Sequence, residues 1–356
     1  MLEFIMEGGI VFSVMYVLTL LLGQFLSVED EKMPVYHFKT DPYIYTFLML
    51  LIGFCLIGWL SSGCQDCVFG FDFKLIATTF LFAGLIYALF LLEMEKLSVL
   101  AVFVFSIVNA FCFIQKDALM ATNVIPWQAE VLAVGVFLGL VTYSSKMFIG
   151  LSGAFSLMIS MMSLGVVLIA YAGGIPWFIG FMGVAMTGVF ICIFQYNRQS
   201  VKFQLNEGAV MSATFIFCSL LLQGVNEFAA PSMFILTIYM LMELLFGLFK
   251  QYALRKKEPD LYLHAFYWQA VERGFSVYGV HVLLIKLCIM NILLALFELY
   301  SPNVVTLPIA AVFINCWLLS KVYYADRKMT LKEVNREFVD NVKKEIANLK
   351  KHLKKD

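Results

Sequence analysis

Long apolar runs separated by short polar stretches dominate this chain. A helix needs about 20 apolar residues to cross the hydrocarbon core of a bilayer, and the sequence contains about eleven such runs. The runs are residues 4–26, 43–60, 75–92, 97–114, 129–146, 151–171, 176–194, 209–224, 233–250, 278–299 and 304–323. The pattern predicts an all-α, polytopic integral membrane protein whose transmembrane domain covers residues 1–323.

A different pattern follows residue 323. Thr330 and Glu333 have the spacing of a capping box, which opens a helix. Apolar residues then recur every three or four positions, which predicts one helical stripe. The stripe is Leu331, Val334, Phe338, Val342, Ile346, Leu349 and Leu353, and lysines flank it. We expect residues 324–356 to form a basic amphipathic cytoplasmic helix that binds an anionic membrane surface or a protein partner.

The composition is typical of a membrane protein and gives little further information about function. Hydrophobic residues make up 62% of the chain, and the mean hydropathy is +0.86. Lys plus Arg and Asp plus Glu both number 25, so the formal net charge is zero. The basic surplus is confined to the region from Lys321 onward, and the sequence gives no support for nucleic-acid binding.

The distribution of basic residues predicts the orientation of the chain. Loops rich in Lys and Arg stay in the cytoplasm, so the basic tail defines the inside. Counting spans back from the tail puts loops 27–42, 93–96, 144–150, 195–208 and 251–277 inside and the N-terminus outside. Lys74 and Lys116 then lie outside, against the rule.

Eight cysteines are scattered along the chain. Six lie in apolar runs, where cysteine behaves as a small hydrophobic residue. Cys64 and Cys67 form the loop sequence CQDC. This spacing suits a disulfide or zinc, but a zinc site needs about four ligands and the chain has no second such pair.

The polar stretch 194–213 separates two apolar runs. It reads FQYNRQSVKFQLNEGAVMSA, and its polar residues are Asn197, Arg198, Lys202, Asn206 and Glu207. Two interpretations are open. The stretch is either an ordinary cytoplasmic loop whose Arg and Lys set the orientation, or a functional site at the ends of two helices.

Two inside loops resemble motifs of the polyprenyl-phosphate N-acetylhexosamine-1-phosphate transferases, the family that includes the lipid I synthase. The segment YSSKMFIGLSG, residues 143–153, is similar to the family motif Asn-Ala-x-Asn-x-x-Asp-Gly-x-Asp-Gly. Gly150 and Gly153 match this motif. Tyr143 and Lys146 replace its two Asn residues, and Ile149 and Ser152 replace its two Asp residues.

The next inside loop resembles a second motif of the family. In NRQSVKFQLNEGAV, Asn197 and Lys202 match, and Asn206 with Glu207 replaces Gly-Asp. The other resembling positions are Glu93, within a paired-Asp motif; Glu243, at an Asp position in a span; and His264, in a His-rich loop.

The resemblance implies Mg²⁺-dependent transfer of a sugar-1-phosphate to undecaprenyl phosphate at the bacterial inner membrane. Such chemistry needs hard oxygen ligands for Mg²⁺, which the side chain of Ile149 cannot supply. We therefore expect a catalytically degenerate homologue that binds a lipid carrier or a partner protein in lipid-linked envelope glycan assembly. The alternatives are an active transferase and an unrelated small-molecule or lipid transporter.

Each interpretation assigns residues to roles. For an active transferase, Glu207 is the metal ligand, and Glu207 and Glu93 are the catalytic acids. Lys146, Arg198 and Lys202 bind phosphates, and further site residues are Asn197, Asn206, Glu243 and His264. A transporter would instead use polar residues within the spans, namely Asn109, Glu243, His281, Lys286 and Asn291. A buried Glu243–Lys286 pair would explain those two residues without transport.

The topology gives the first testable prediction. Cys64 and Cys67 should react with a membrane-impermeant thiol reagent in intact, reduced cells, because their loop lies outside. His264 should lie inside, so a cysteine introduced there should react only after lysis. Labelling of Cys64 and Cys67 only after lysis would contradict the orientation.

Overall fold

The computed structural model describes residues 2–28, 37–38, 42–63, 73–115, 126–149, 151, 153–197, 205–227, 229–254, 265–272, 275–301 and 306–324. Within these residues the architecture is helical. The helices are α1 (Leu2–Leu26), α2 (Pro42–Gly63), α3 (Phe73–Leu91), α4 (Glu95–Phe113), α5 (Trp127–Ser144), α6 (Ala154–Tyr171), α7 (Trp177–Asn197), α8 (Glu207–Asn226), α9 (Ala230–Leu254), α10 (Phe266–Glu272), α11 (Val277–Tyr300) and α12 (Thr306–Tyr324). A 3₁₀ turn, Ser145–Phe148, follows α5 directly.

Every predicted apolar run lies on a helix, with ends that differ by a few residues. The fifth run was predicted to end at Lys146. In the structure α5 ends at Ser144, and the chain continues as the 3₁₀ turn. Two features were not predicted. They are the seven-residue helix α10 and a short antiparallel ladder that pairs Ser27–Val28 with His37–Phe38. Both are too short to produce an apolar run.

Eight helices in the described part of the chain are long and apolar enough to cross a membrane: α3 to α9 and α11. In α1, α2 and α12 the described apolar segments are shorter, at Ile5–Leu21, Thr46–Cys55 and Thr306–Trp317. Helices suit this setting because hydrocarbon offers no water to satisfy backbone amides. The chain is therefore an α-helical integral membrane protein.

Helix α8 lies at the centre of the bundle. In its span, 94% of the residues are buried inside the protein, against 33% in α3 and in α4. Small polar side chains join it to those two neighbours. Ser212 Oγ donates to the Ala83 carbonyl of α3 at 2.7 Å, and Asn109 Nδ2 of α4 donates to Ser219 Oγ at 3.3 Å. Such contacts hold membrane helices together where burial of apolar surface gives little driving force.

Most polar residues within the spans make helix–helix contacts. Asn291 of α11 and Asn315 of α12 are both buried, and Asn315 Nδ2 donates to Asn291 Oδ1 at 2.7 Å. His281 is buried with its ring edge-on to Phe194 of α7, at a centroid distance of 5.1 Å. Asn109 bonds to α8 as described. These contacts involve three of the five side chains that the transporter hypothesis names, and each joins two helices.

Lys286 is the exception. It is exposed on α11, nine residues after Val277 and thus about 14 Å along the helix axis. The described residues include no ion pair between Lys286 and Glu243, so the pairing that the sequence left open is not formed. A lysine at the centre of a membrane helix costs about 2.5–3.5 kcal/mol on insertion scales.

Candidate functional site

Several helix ends meet at one end of the bundle, which we call the site end. Phe90, at the end of α3, lies against Gly208 at the start of α8. Phe194, at the end of α7, lies against Gly153 just before α6. The 3₁₀ turn after α5 contacts α8 and α9 there. The described ends of the predicted inside loops 93–96, 144–150 and 195–208 therefore lie together, as the alternating topology requires.

The central contact of the site end is an ion pair between Lys146 and Glu207. Lys146 Nζ in the 3₁₀ turn contacts Glu207 Oε2 at the first position of α8. The side chains are 15% and 33% exposed, respectively, so water screens the pair less than it would a pair on an open surface. Lys146 Nζ also lies 5.8 Å from the centroid of the Tyr143 ring, within the range of a cation–π contact.

Local sequence explains why Glu207 sits where it does. Asn206 is the N-cap of α8, and its Oδ1 accepts from the Ala209 N–H at 2.8 Å. An acid at the first helical position also suits the positive end of the helix dipole. Gly208 allows close approach to α3, because a Cβ there would lie 2.6 Å from Phe90 Cβ. The Asn206 cap thus fixes where α8 begins, and the close approach at Gly208 fixes how its first turn packs against α3.

Buried contacts with α9 and α10 hold the 3₁₀ turn that carries Lys146 in place. Met147 and Phe148 are fully buried. The Tyr267 hydroxyl of α10 donates to the Met147 carbonyl, and the rings of Tyr267 and Phe148 stack with centroids 5.7 Å apart. Tyr239 of α9 lies on Phe148 as well, at 5.8 Å. The lysine therefore extends from a rigid, buried turn.

Glu243 holds α10 in place. It is fully buried in α9, and its carboxylate accepts from the Tyr239 hydroxyl and, at 2.8 Å, from the Phe266 N–H. Phe266 is the first residue of α10, so the carboxylate satisfies a backbone donor that the helix itself leaves open. Through α10 and Tyr267, Glu243 supports the turn that carries Lys146. These contacts position α10.

Two further predicted residues lie at the site end without joining the ion pair. Glu93 is exposed in the turn between α3 and α4, with a left-handed φ of 58°. Asn197 is buried at the end of α7, near Gly153, whose φ of 77° favours glycine. Arg198, Lys202, His264, Cys64, Cys67 and the predicted tail helix lie outside the described residues.

In the described part of the site end, one carboxylate, that of Glu207, contacts Lys146. Among the described His, Cys, Asp and Glu residues, no three lie close enough together to hold a metal ion. The carboxylate of Glu207, the expected ligand, already contacts an ammonium group. Ile149 packs against the hydrophobic core and offers no oxygen. Mg²⁺ requires near-octahedral oxygen coordination, usually with one or two carboxylates.

Sequence reasoning missed α10 and the aromatic residues that support Lys146. One signal was present, because Tyr239 and Glu243 are four residues apart and so share a face of one helix. Tyr267 gave no such signal, since its contact with Met147 joins distant parts of the chain.

Comparisons with known proteins do not identify the chain. No model of a known protein family matches it, and no curated protein matches its sequence. Function must therefore be argued from the chemistry of the site.

Tyr267→Phe tests the support of the 3₁₀ turn. The variant keeps the ring stacked on Phe148 but removes the donor to the Met147 carbonyl, and a buried acceptor without a donor costs about 1–3 kcal/mol. Amide hydrogen exchange in residues 145–149 should become about tenfold faster or more. Tyr300→Phe is the matched control, because Tyr300 is 74% exposed. Equal exchange in both variants would show that the hydroxyl does not support the turn.

Proposed function

We propose that this protein is a diverged, catalytically degenerate homologue of the polyprenyl-phosphate sugar-1-phosphate transferases. In this proposal it binds the phosphate end of a polyprenyl-phosphate carrier during lipid-linked envelope glycan assembly and transfers no sugar phosphate. The observation that carries the proposal is the Lys146–Glu207 ion pair.

The ion pair argues against catalysis because it removes the acid that the reaction needs. Phosphoryl transfer in such enzymes depends on a metal that neutralises charge on the transferring group. Glu207 is neutralised by Lys146, and among the described residues no three His, Cys, Asp or Glu side chains lie close enough together to hold a metal. Glu93, the second acid of the sequence hypothesis, is exposed in a turn and does not pair with Lys146.

The charge at the site end suits a phosphate group. Lys146 lies on the 3₁₀ turn, and Arg198 and Lys202 belong to the connection between α7 and α8. Counted with Glu207, these three residues give the 3₁₀ turn and this connection a formal net charge of +2. A phosphate monoester carries about −1.5 to −2. The resemblance of this same connection to a phosphate-handling motif supports the assignment.

The proposal includes a membrane setting. The protein resides in a bacterial inner membrane with about eleven spans, its N-terminus outside and its C-terminus in the cytoplasm. The site end then faces the cytoplasm. The basic tail, residues 324–356, lies on the inner leaflet or binds a partner protein, next to the phosphate of a carrier lipid.

Two assays on one purified protein test the function. With Mg²⁺, nucleotide-activated N-acetylhexosamines and undecaprenyl phosphate, the protein should release no detectable UMP. In nanodiscs it should bind undecaprenyl phosphate, and Lys146→Met should weaken this binding about tenfold through loss of a cation. Lys74→Met, a lysine on α3 away from the site end, is the matched control and should bind normally.

Glu207→Gln distinguishes the proposal from the active alternative. If Glu207 only neutralises Lys146, the variant should bind undecaprenyl phosphate several-fold more tightly, because the ammonium is released for the phosphate. If Glu207 ligates Mg²⁺, the same variant should lose UMP release and bind more weakly. UMP release that depends on Glu207, or carrier binding that is indifferent to Lys146, would contradict the proposed function.

A further inference from the structure

Helix α11 presents a continuous exposed stripe along one side of the bundle. We define the Lys286 stripe as Tyr278, Lys286, Ile289, Leu293, Phe297 and Tyr300, all of them exposed. The residues recur at the spacing of one helical face. The opposite face of α11 is buried against α6 and α9, through residues such as Leu284, Leu287 and Ala295.

The stripe lies on the outside of the bundle, and its lysine lies near the middle of a helix that is long and apolar enough to cross a membrane. Lys286 is about 14 Å along the helix axis from Val277 and about 21 Å from Tyr300, which is near the middle of the span. Ionisable groups at this depth are rare outside pairs and functional sites, because lipid cannot solvate the charge.

No described residue of this chain supplies the missing counter-charge. The one ion pair between described residues joins Lys146 to Glu207. The Glu243 carboxylate accepts from Tyr239 and Phe266. The exposed acids of the described helices lie at helix ends, so a second copy of the chain would bring none of them to the depth of Lys286. These acids are Glu7, Glu93, Glu95 and Glu227.

We propose that the Lys286 stripe is a docking surface for a transmembrane helix of a different protein, and that this helix carries an Asp or Glu at the depth of Lys286. The pair would remove an uncompensated charge from lipid, which makes association favourable where apolar packing alone gives little selectivity. Ile289, Leu293 and Phe297 would pack beside the pair. Tyr278 and Tyr300 mark the two membrane boundaries. The proposal does not depend on the proposed function.

A synthetic membrane helix tests the charge requirement. The probe is a leucine-rich transmembrane peptide with one glutamate at the matching depth, and its association with the labelled full-length protein is measured by energy transfer in vesicles. The glutamate peptide should bind at least tenfold more tightly than an all-leucine peptide. Lys286→Leu should abolish this difference and Lys286→Arg should keep it. Lys96→Leu, at an exposed helix end, is the control and should behave as the wild type.

Stability measurements distinguish a specific loss of binding from unfolding of the variant. Lys286→Leu removes a charge from a lipid-facing surface, so its unfolding midpoint should equal or exceed that of the wild type. Equal binding of the glutamate and leucine peptides would overturn the proposal. So would binding that survives Lys286→Leu in a folded variant, or self-association of the chain that depends on Lys286.

A photo-crosslinker at Leu293 tests the surface in the native membrane. The expected product joins the chain to a protein whose crosslinked span contains Asp or Glu, and Lys286→Leu should remove this product. Crosslinks confined to lipid, to a second copy of the chain, or to a span without a carboxylate would refute the docking surface.

Discussion

The lack of water in a bilayer core is the constraint on which this structure depends. Backbone amides that cannot bond to water must bond within helices, and ionisable side chains are displaced toward helix ends. The described chain follows this rule with helices through the apolar regions and most charges near helix ends, and the exceptions are Glu243 within α9 and Lys286 within α11. The site end follows from this rule, because the ends of α3, α5 and α7 lie at the same end of the bundle. Glu93 and Lys146 lie in the turns that follow α3 and α5, and Asn197 is the last residue of α7.

Two lysines, Lys146 and Lys286, differ in how their positive charge is compensated. Lys146 extends from a buried turn and is neutralised within the chain by Glu207. The turn is itself fixed by Tyr267, and α10 is fixed by the carboxylate of Glu243. Lys286 has no such neighbour among the described residues and is exposed on the outside of the bundle. The first charge is compensated within the chain, whereas for the second we propose a partner outside it.

The helices could be predicted from sequence because apolar length is a local property. The polar stretch 194–213 was predicted to separate two apolar runs, and within it Asn206 and Glu207 begin α8 as its cap and first residue. The pairing of Lys146 with Glu207 could not be predicted, since it depends on how α5 packs beside α8. Helix α10 was missed because seven residues give no apolar run, and its position is set by the buried carboxylate of Glu243.

The central claim is that Lys146 neutralises Glu207 in place of a metal. A double-mutant cycle with Lys146→Met, Glu207→Gln and the double variant measures this directly from the free energies of unfolding in mixed micelles. The account predicts a coupling of about 1 kcal/mol or more that Mg²⁺ does not change, since the charges are partly shielded from water. Additive effects, or stabilisation by Mg²⁺ that disappears with Glu207→Gln, would contradict it.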